Sequence, residues 1–345
     1  MHFIPRPKIA FFAALTMLGV LALGGGLASA KRHLLREPPI TIPRTELEAA
    51  FHCHGTVEGS PTQPLLFVTG TGATGEEGYL IGKGAFEAFG HPVCDVDFPY
   101  FTTADIQISV QYLVYAIRRE ARIAGRPIAI FGISQGGLLP RFALTYWPDL
   151  RSKVTDVLAA AGTQHGTTVV GPSGGCAASN PCPPAVWQQA AGSRLLEALN
   201  SQLVEAPGPT AWTTVRSSTD EVVQPQTGKH PTSALKGATN ILIQSVCPGR
   251  VTTHIGTAVD SVAFAAFVDA ISHKGPAQVS RLPSDVCSHP YAPGLDENMT
   301  TAFLAGSSTL IPTQEADVPK VPAEPKVRAY VKRVAGAVPR APQVP

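Results

Sequence analysis

The sequence has few charged residues and no large excess of either sign. Only 15% of its 345 residues are Asp, Glu, Lys or Arg, and the net charge at pH 7 is +2. Proteins that bind nucleic acid usually carry a basic patch, and no stripe of Lys and Arg interleaved with aromatic residues is present. We therefore expect no nucleic-acid partner. Apolar residues make up 44% of the chain, which is enough to fill a sizeable core.

The usual sequence signatures of cofactor and metal sites are also missing. The six cysteines include no C-x-x-C pair, which is the spacing of many zinc and thioredoxin-like sites. The chain has no dinucleotide-type glycine fingerprint and no internal repeat. Its Gly-rich segment 68–75 lacks the lysine that a phosphate-binding loop places before Ser or Thr. We expect neither an organic cofactor nor a metal ion.

The first thirty residues differ in character from the rest of the chain. A basic start precedes an uncharged apolar run from Ile9 to Leu27, and the triplet Ala28-Ser29-Ala30 follows it. This pattern is typical of a secretory signal with an A-x-A cleavage site. An uncleaved membrane anchor is the alternative, because the run approaches the ~20 residues that span a bilayer. The glycines at 24–26 would weaken a spanning helix, so we expect a secreted protein rather than an anchored one.

An even number of cysteines in an exported chain favours disulfide bonds. The six residues are Cys53, Cys94, Cys176, Cys182, Cys247 and Cys287. Counting them does not determine how they pair. Cys176 and Cys182 are close together in a stretch rich in Gly, Ser and Pro, so a local clip between them is the simplest pairing.

Short apolar segments alternate with a helical pattern along the middle of the chain. The predicted strands are 65–68, 127–131, 154–158, 211–215 and 240–246. They are short, bounded and β-branched, as buried parallel strands are. Segment 103–124 has apolar residues at helical spacing and arginines near its end, where the helix dipole favours them. The alternation predicts an α/β fold with a mostly parallel sheet and helices on both faces.

The most informative motif is Gly132-Ile133-Ser134-Gln135-Gly136, which directly follows the predicted strand 127–131. An apolar segment that could begin a helix comes next. In this context G-x-S-x-G is typical of a nucleophile elbow, where only glycine two residues before and after the serine avoids a steric collision. An ordinary Gly-rich turn is the alternative, but it does not require the strand and helix on either side. The motif therefore predicts a serine hydrolase with Ser134 as nucleophile.

A serine hydroxyl needs a histidine base, and the histidine needs a carboxylate that holds its tautomer. In this fold the acid follows the serine and the histidine follows the acid. Asp220 and Glu221 are adjacent acids in a loop after the predicted strand 211–215, and we choose Asp220 with Glu221 in reserve. Solvated loop acids or helix caps are the alternative.

Four histidines follow Asp220 in the sequence: His230, His254, His273 and His289. Only His254 follows a predicted strand by a single loop, so we choose it as the base. His230 precedes that strand, and the remaining two are expected in surface loops.

The oxyanion formed by serine attack needs backbone N–H donors. We expect one from Gln135, directly after the nucleophile, and the other from the Gly-rich loop 68–75, where Thr71 offers a hydroxyl in addition.

These residues resemble the family of lipase B from Candida antarctica and its fungal and bacterial relatives, over about Phe51 to Cys287. The segments that carry the resemblance are 68–72, 134–138, 151–154, 186–189 and 219–226. The resemblance implies the triad Ser134, Asp220 and His254 and the oxyanion hole of Thr71 and Gln135. It also implies disulfides Cys53–Cys94 and Cys247–Cys287, and an acyl-enzyme reaction without a cofactor.

Several positions depart from the pattern of that family. Gly132-Ile133 replaces Thr-Trp before the nucleophile, which implies a wider alcohol side of the pocket. Thr163 replaces an aspartate on the acyl side and Gln164 follows it, so Ile133, Thr163 and Gln164 are the predicted pocket residues. The Cys176–Cys182 segment lies where the family has the rim or cover of the pocket. The family's C-terminal disulfide is missing.

These features predict three regions and one function. Residues 1–30 are a signal peptide, 31–312 an α/β-hydrolase catalytic domain, and 313–345 a basic tail rich in Pro and Ala. Such a composition buries little apolar surface, so we expect a mobile or surface-hugging tail. The predicted protein is a monomeric, exported lipase or carboxylesterase that contacts lipid interfaces transiently. An acyltransferase or polyesterase, and a noncatalytic lipid-binding protein of the cell envelope, are the alternatives.

Overall fold

The computed structural model of the chain describes residues 37–306 and 318–332. The predicted signal peptide and the remaining parts of the predicted tail lie outside these residues. Among the helices of the described ranges, none is both long enough and apolar enough to cross a membrane.

A seven-stranded sheet forms the centre of the described residues, with strand order β1-β3-β2-β4-β5-β6-β7. The strands are β1 (Phe51–His54), β2 (Leu65–Val68), β3 (Val93–Val96), β4 (Ile128–Ile133), β5 (Val154–Ala160), β6 (Ala211–Arg216) and β7 (Thr239–Leu242). All neighbouring strands pair in parallel except β1, which pairs antiparallel with β3 at the edge. The predicted α/β-hydrolase fold with a mostly parallel sheet is confirmed.

Helices cover both faces of this sheet in the described part of the chain. They are α1 (Arg44–Ala49), α2 (Gly75–Phe89), α3 (Pro99–Thr102), α4 (Ile106–Ala124), α5 (Gln135–Tyr146), α6 (Pro184–Gln188), α7 (Arg194–Asn200), α8 (Ile243–Val246), α9 (Ser261–Ser272) and α10 (Glu297–Gly306). α4 and α5 pack on one face, and α2 and α9 pack on the other. The central strands are therefore buried on both sides, which explains why they are continuous apolar runs.

The alternation of side chains along β2 shows how the two cores are separated. Leu66 and Val68 belong to the core beneath α4 and α5, whereas Leu65 and Phe67 belong to the core beneath α2 and α9. All four side chains are buried. Because successive residues of a strand point to opposite faces, one short apolar run supplies both cores.

Two parts of the strand prediction differ from the structure. Segment 240–246 is a strand only as far as Leu242, and Ile243–Val246 form the short helix α8. A short apolar run does not by itself distinguish a strand from a buried helical turn, so its second half was predicted wrongly. β1 and β3 were not predicted, because each has only four residues and includes polar ones.

All six cysteines lie in the described residues, and they form three disulfide bonds: Cys53–Cys94, Cys176–Cys182 and Cys247–Cys287. The first joins the edge strand β1 to β3. The second closes a local loop before α6, and the third ties the end of α8 to a segment near residue 287. All three agree with the predicted pairings.

The described part of the tail, residues 318–332, packs along the surface of the domain. Val331 is fully buried, and Tyr146 donates its hydroxyl to the Val331 carbonyl oxygen at 3.0 Å. The ring of Tyr330 packs against Phe142, Tyr146 and Trp147. Val318 and Val331 are the buried residues of this segment, so a few apolar side chains anchor to α5 a segment that otherwise lies along the surface.

Replacing Val331 with Ala should lower the free energy of unfolding by about 2 kcal/mol, because two buried methyl groups are lost and a cavity remains. Lys332→Ala is the matched control, since Lys332 is exposed and adjacent in the chain. Urea unfolding of both variants with disulfides intact measures the difference. Equal stability of the two variants would show that the segment is not part of the core.

Candidate active site

Ser134 lies on a strained turn between β4 and α5. Its φ of 58° and ψ of −124° are rare for a residue with a side chain, at a cost of roughly 1–3 kcal/mol. A Cβ on Gly132 would lie 2.0 Å from the Gly136 carbonyl oxygen, and one on Gly136 would lie 2.0 Å from that of Val68. One on Gly70 would lie 2.9 Å from Ser134 Cβ. The turn therefore requires glycine where the motif has it.

Asp220 and His254 form a buried pair although 34 residues separate them in the chain. His254 Nδ1 lies 2.9 Å from Asp220 Oδ2, and the two residues are 6% and 1% exposed. Asp220 Oδ1 accepts from the backbone N–H groups of Val222 and Val223, both at 2.8 Å. These bonds fix the carboxylate and leave Oδ2 for the imidazole. With Nδ1 so engaged, Nε2 is the ring nitrogen that can exchange a proton with another group.

The other candidates occupy different environments. Glu221 accepts from the backbone N–H of His254 at 3.0 Å and thus positions the main chain rather than the ring. The side chains of His230 and His289 are exposed, and that of His273 is 50% exposed at the end of α9. Geometry therefore favours Asp220 over Glu221 and His254 over the other three histidines.

Ser134 and His254 both lie beyond the C-terminal ends of parallel strands, which is the edge where α/β proteins bind ligands. The 3-10 turn Ile255–Ala258 begins at His254 and contacts β4, whose last residue precedes Ser134. Among the hydrogen bonds of the described residues, none joins Ser134 Oγ to His254 Nε2. Catalytic hydrogen bonds are often long without substrate and shorten in the reacting complex.

A buried network of side chains connects Thr71 to Gln135. Thr71 Oγ1 donates to Gln135 Oε1 at 3.0 Å, and Gln189 Nε2 donates to both of these oxygens, at 2.8 and 2.7 Å. Gln135 Nε2 in turn donates to the Thr102 carbonyl oxygen at 3.1 Å. Gln135 is the first residue of α5, so its backbone N–H has no partner within that helix. The network holds two predicted oxyanion residues side by side.

The chain is similar to lipases of known sequence and structure. No protein-family model matches the chain. Lipase B of Pseudozyma antarctica is 35% identical over 227 residues, which cover 64% of this chain and 65% of that protein. The crystal structure of Aspergillus fumigatus lipase B matches with a TM-score of 0.77 at 30% identity, covering 86% of this chain and 73% of that one. The chain belongs to the lipase B family.

The similarity to members of the lipase B family is partial. The aligned segment spans slightly less than two thirds of the Pseudozyma protein. A Bacillus licheniformis lipase in its propeptide form matches with a TM-score of 0.51 at 16% identity, over 66% of this chain and 54% of that chain. That match agrees with the fold alone. The resemblance to lipase B that the sequence motifs predicted is confirmed.

The predicted pocket residues of this lipase B relative differ in their surroundings. Ile133 is 8% exposed and directly precedes the nucleophile candidate. Thr163 Oγ1 donates to Gln189 Oε1 at 3.1 Å, which joins it to the network around Thr71. Gln164 is fully buried, and its Nε2 donates to a backbone carbonyl oxygen of α5 at 2.7 Å. Gln164 therefore contacts α5 directly, and its role as a pocket residue stays a prediction.

Two features of the site were not predicted from the sequence. Gln189 belongs to a segment that carries the family resemblance, but no pattern indicates that its amide contacts the oxyanion residues. The second is the left-handed turn that residues 100–102 form within the short segment α3, where all three φ values lie between 53° and 62°. The Phe101 carbonyl oxygen accepts from Gly72 N at 2.8 Å, and Thr102 Oγ1 donates to the Ala73 carbonyl oxygen at 2.8 Å. This turn holds the Gly-rich loop in place.

Replacing Asp220 with Asn should remove the low-field proton resonance of His254 Nδ1, because a neutral amide replaces the charged acceptor. Glu221→Gln should retain that resonance, since Glu221 contacts the backbone of His254 and not its ring. Proton NMR of the two variants tests the assignment without measuring activity. Loss of the resonance in Glu221→Gln alone would reverse the choice of acid.

Proposed function

We propose that the protein is an exported serine hydrolase that cleaves carboxylic esters of lipids, as a lipase or carboxylesterase. The observation that carries this proposal is the buried Asp220–His254 pair at the sheet edge where Ser134 occupies a strained turn. The three residues follow the chain order of α/β hydrolases. Membership of the lipase B family supports the same activity.

The proposed reaction has two halves. Ser134 Oγ attacks the ester carbonyl carbon while His254 Nε2 takes the hydroxyl proton. The resulting oxyanion accepts hydrogen bonds from the backbone N–H groups of Thr71 and Gln135. The bond to the alcohol then breaks, and His254 gives its proton to the leaving oxygen. Water, deprotonated by His254, attacks the acyl-enzyme and releases the carboxylic acid together with free Ser134.

In this mechanism Asp220 stays ionised and stabilises the imidazolium that forms in each half-reaction. Its two backbone hydrogen bonds and its burial support such a role, because they fix the carboxylate before the charge develops. The triad needs no metal or organic cofactor for these steps. Ile133 beside the nucleophile is a smaller side chain than tryptophan, and we propose that it leaves room for bulky alcohol groups.

The expected location is outside the cell. Three disulfides among the described residues favour an oxidising compartment, since such bonds rarely persist in the cytosol. The apolar N-terminal segment with its A-x-A site supports export by the secretory route. We propose that the mature enzyme works as a monomer and contacts lipid interfaces transiently.

Ser134→Ala should abolish hydrolysis of p-nitrophenyl esters, with a loss of about a million-fold in kcat, because the attacking oxygen is removed. The circular dichroism spectrum and melting temperature should stay close to those of the wild type, since the hydroxyl makes no hydrogen bond among the described residues. Retained turnover by a folded Ser134→Ala protein would refute the assignment.

His254→Ala should lower kcat by several orders of magnitude, whereas His230→Ala should leave it nearly unchanged. His230 is the matched control because it is an exposed histidine in the loop between β6 and β7. Initial rates with p-nitrophenyl butyrate separate the two outcomes. Comparable losses in both variants would mean that the base has been chosen wrongly.

The same triad could pass its acyl group to an acceptor other than water, as in an acyltransferase. Product analysis with water, an alcohol and a sugar present together distinguishes these reactions. The proposed hydrolase should release mainly free carboxylic acid. Predominant transfer to the alcohol or sugar in dilute aqueous solution would favour the transferase.

A further inference from the structure

A second cluster of chemically active side chains lies at the edge of the sheet, on β1 and just beyond β3. His52 faces Asp95 across the antiparallel pair, and Asp97 follows two residues later. His52 Nδ1 lies 3.6 Å from Asp95 Oδ1 and 3.9 Å from Asp97 Oδ2. These three atoms all lie within 4.8 Å of one another. None of the three residues belongs to the proposed triad or oxyanion hole.

The buried carboxylate of Asp95 indicates that the cluster needs a cation. Its side chain is completely buried, and Oδ1 has no hydrogen-bond partner among the described residues. Oδ2 lies 2.7 Å from His54 Nε2, so Oδ1 is the atom directed at His52 and Asp97. A buried carboxylate oxygen without a partner is costly.

The spacing of the three atoms suits a small divalent ion. Zn²⁺ binds imidazole nitrogen and carboxylate oxygen at about 2.0–2.1 Å in tetrahedral sites, so its ligands lie roughly 3.4 Å apart. The separations from His52 Nδ1 are 3.6 and 3.9 Å and the three atoms lie within 4.8 Å of one another, so the side chains must approach by up to about 1.4 Å to share one ion. The side chains of His52 and Asp97 are 44% and 37% exposed, which leaves an open side for water and for entry of the ion.

Neighbouring groups already orient the two carboxylates. His54 fixes Asp95 through Oδ2, and the backbone N–H of Gly75 donates to Asp97 Oδ1 at 2.7 Å. Partners of this kind are usual around metal ligands, because they set the orientation of each ligand before the ion binds. The disulfide between β1 and β3 holds the two strands in the register that brings His52 opposite Asp95.

We propose that His52, Asp95 and Asp97 bind one divalent transition-metal ion, with Zn²⁺ as the ion that their donor set favours. One imidazole and two carboxylates match zinc better than Ca²⁺ or Mg²⁺, which prefer oxygen ligands alone. The ion joins the edge strand β1 to β3 and, through the bond from Asp97 to Gly75, to the beginning of α2. It takes no part in the proposed ester hydrolysis, so the two proposals fail independently.

No metal site was predicted at these residues, because the sequence gives no recognisable ligand spacing there. The ligands come from two segments about forty residues apart, and a disulfide cysteine separates His52 from His54. Only the antiparallel register places them together. The principal alternative is that His52 serves as the counter-ion to both carboxylates without any metal.

Zinc titration of the full chain, first treated with a chelator, tests the proposal. Isothermal titration calorimetry and elemental analysis should give one bound Zn²⁺ per wild-type chain. His52→Asn and Asp97→Asn should weaken binding by at least about 100-fold, because each removes a direct ligand. Both side chains are partly exposed, so these variants should fold.

His273→Asn provides the matched control. His273 Nδ1 lies 3.1 Å from Asp269 Oδ1, and no third metal ligand joins this pair within the described residues. The control should bind Zn²⁺ like the wild type, and Zn²⁺ should raise the melting temperature of both but not of His52→Asn. Equal zinc affinity in the wild type and His52→Asn would overturn the proposal, as would the absence of stoichiometric binding. The difference in melting temperature between the wild type and His52→Asn should therefore be larger with Zn²⁺ than without it. If the difference is the same in both conditions, His52 acts as a counter-ion and the metal proposal is wrong.

Discussion

The strained backbone at Ser134 depends on the close approach of β4, α5 and the loop that follows β2. A positive φ at a residue with a side chain persists only where the surrounding structure holds it. Here Gly132 and Gly136 allow backbone atoms to approach to distances that any Cβ would block, and Gly70 makes room beside the serine. The same packing places the Gly-rich loop next to the first turn of α5, so the proposed nucleophile and the proposed oxyanion donors are positioned together.

The direction of the parallel strands brings the remaining residues to this turn. Asp220 lies in the loop after β6, and His254 lies beyond β7 and α8, so both follow the strands to the same edge of the sheet. Two backbone N–H groups hold the Asp220 carboxylate, and Glu221 holds the main chain of His254. The buried acid and imidazole thus have little freedom to separate, which suits the role proposed for them, the stabilisation of a transient positive charge.

Local sequence patterns were sufficient to predict those features that are formed by residues close together in the sequence. The apolar run of β4 and the glycines around Ser134 predicted the strand, the turn and the helix that the structure has. Chain order then limited the choice of acid and base to a few residues. Features formed by distant segments could not be predicted from local patterns. They are the hydrogen bond from the Gln189 amide to Thr71, the left-handed turn 100–102, and the pairing of His52 with Asp95. Each depends on a tertiary contact that leaves no periodic signal in the sequence.

The central claim is that Ser134, Asp220 and His254 work as one catalytic unit. A crystal structure of the protein after reaction with a p-nitrophenyl alkylphosphonate tests it most directly. We predict phosphorus bonded to Ser134 Oγ, a phosphonyl oxygen within hydrogen-bonding distance of the Gln135 backbone N–H, and His254 Nε2 facing the adduct. Phosphorus on another residue, or an imidazole turned away from the adduct, would contradict the account.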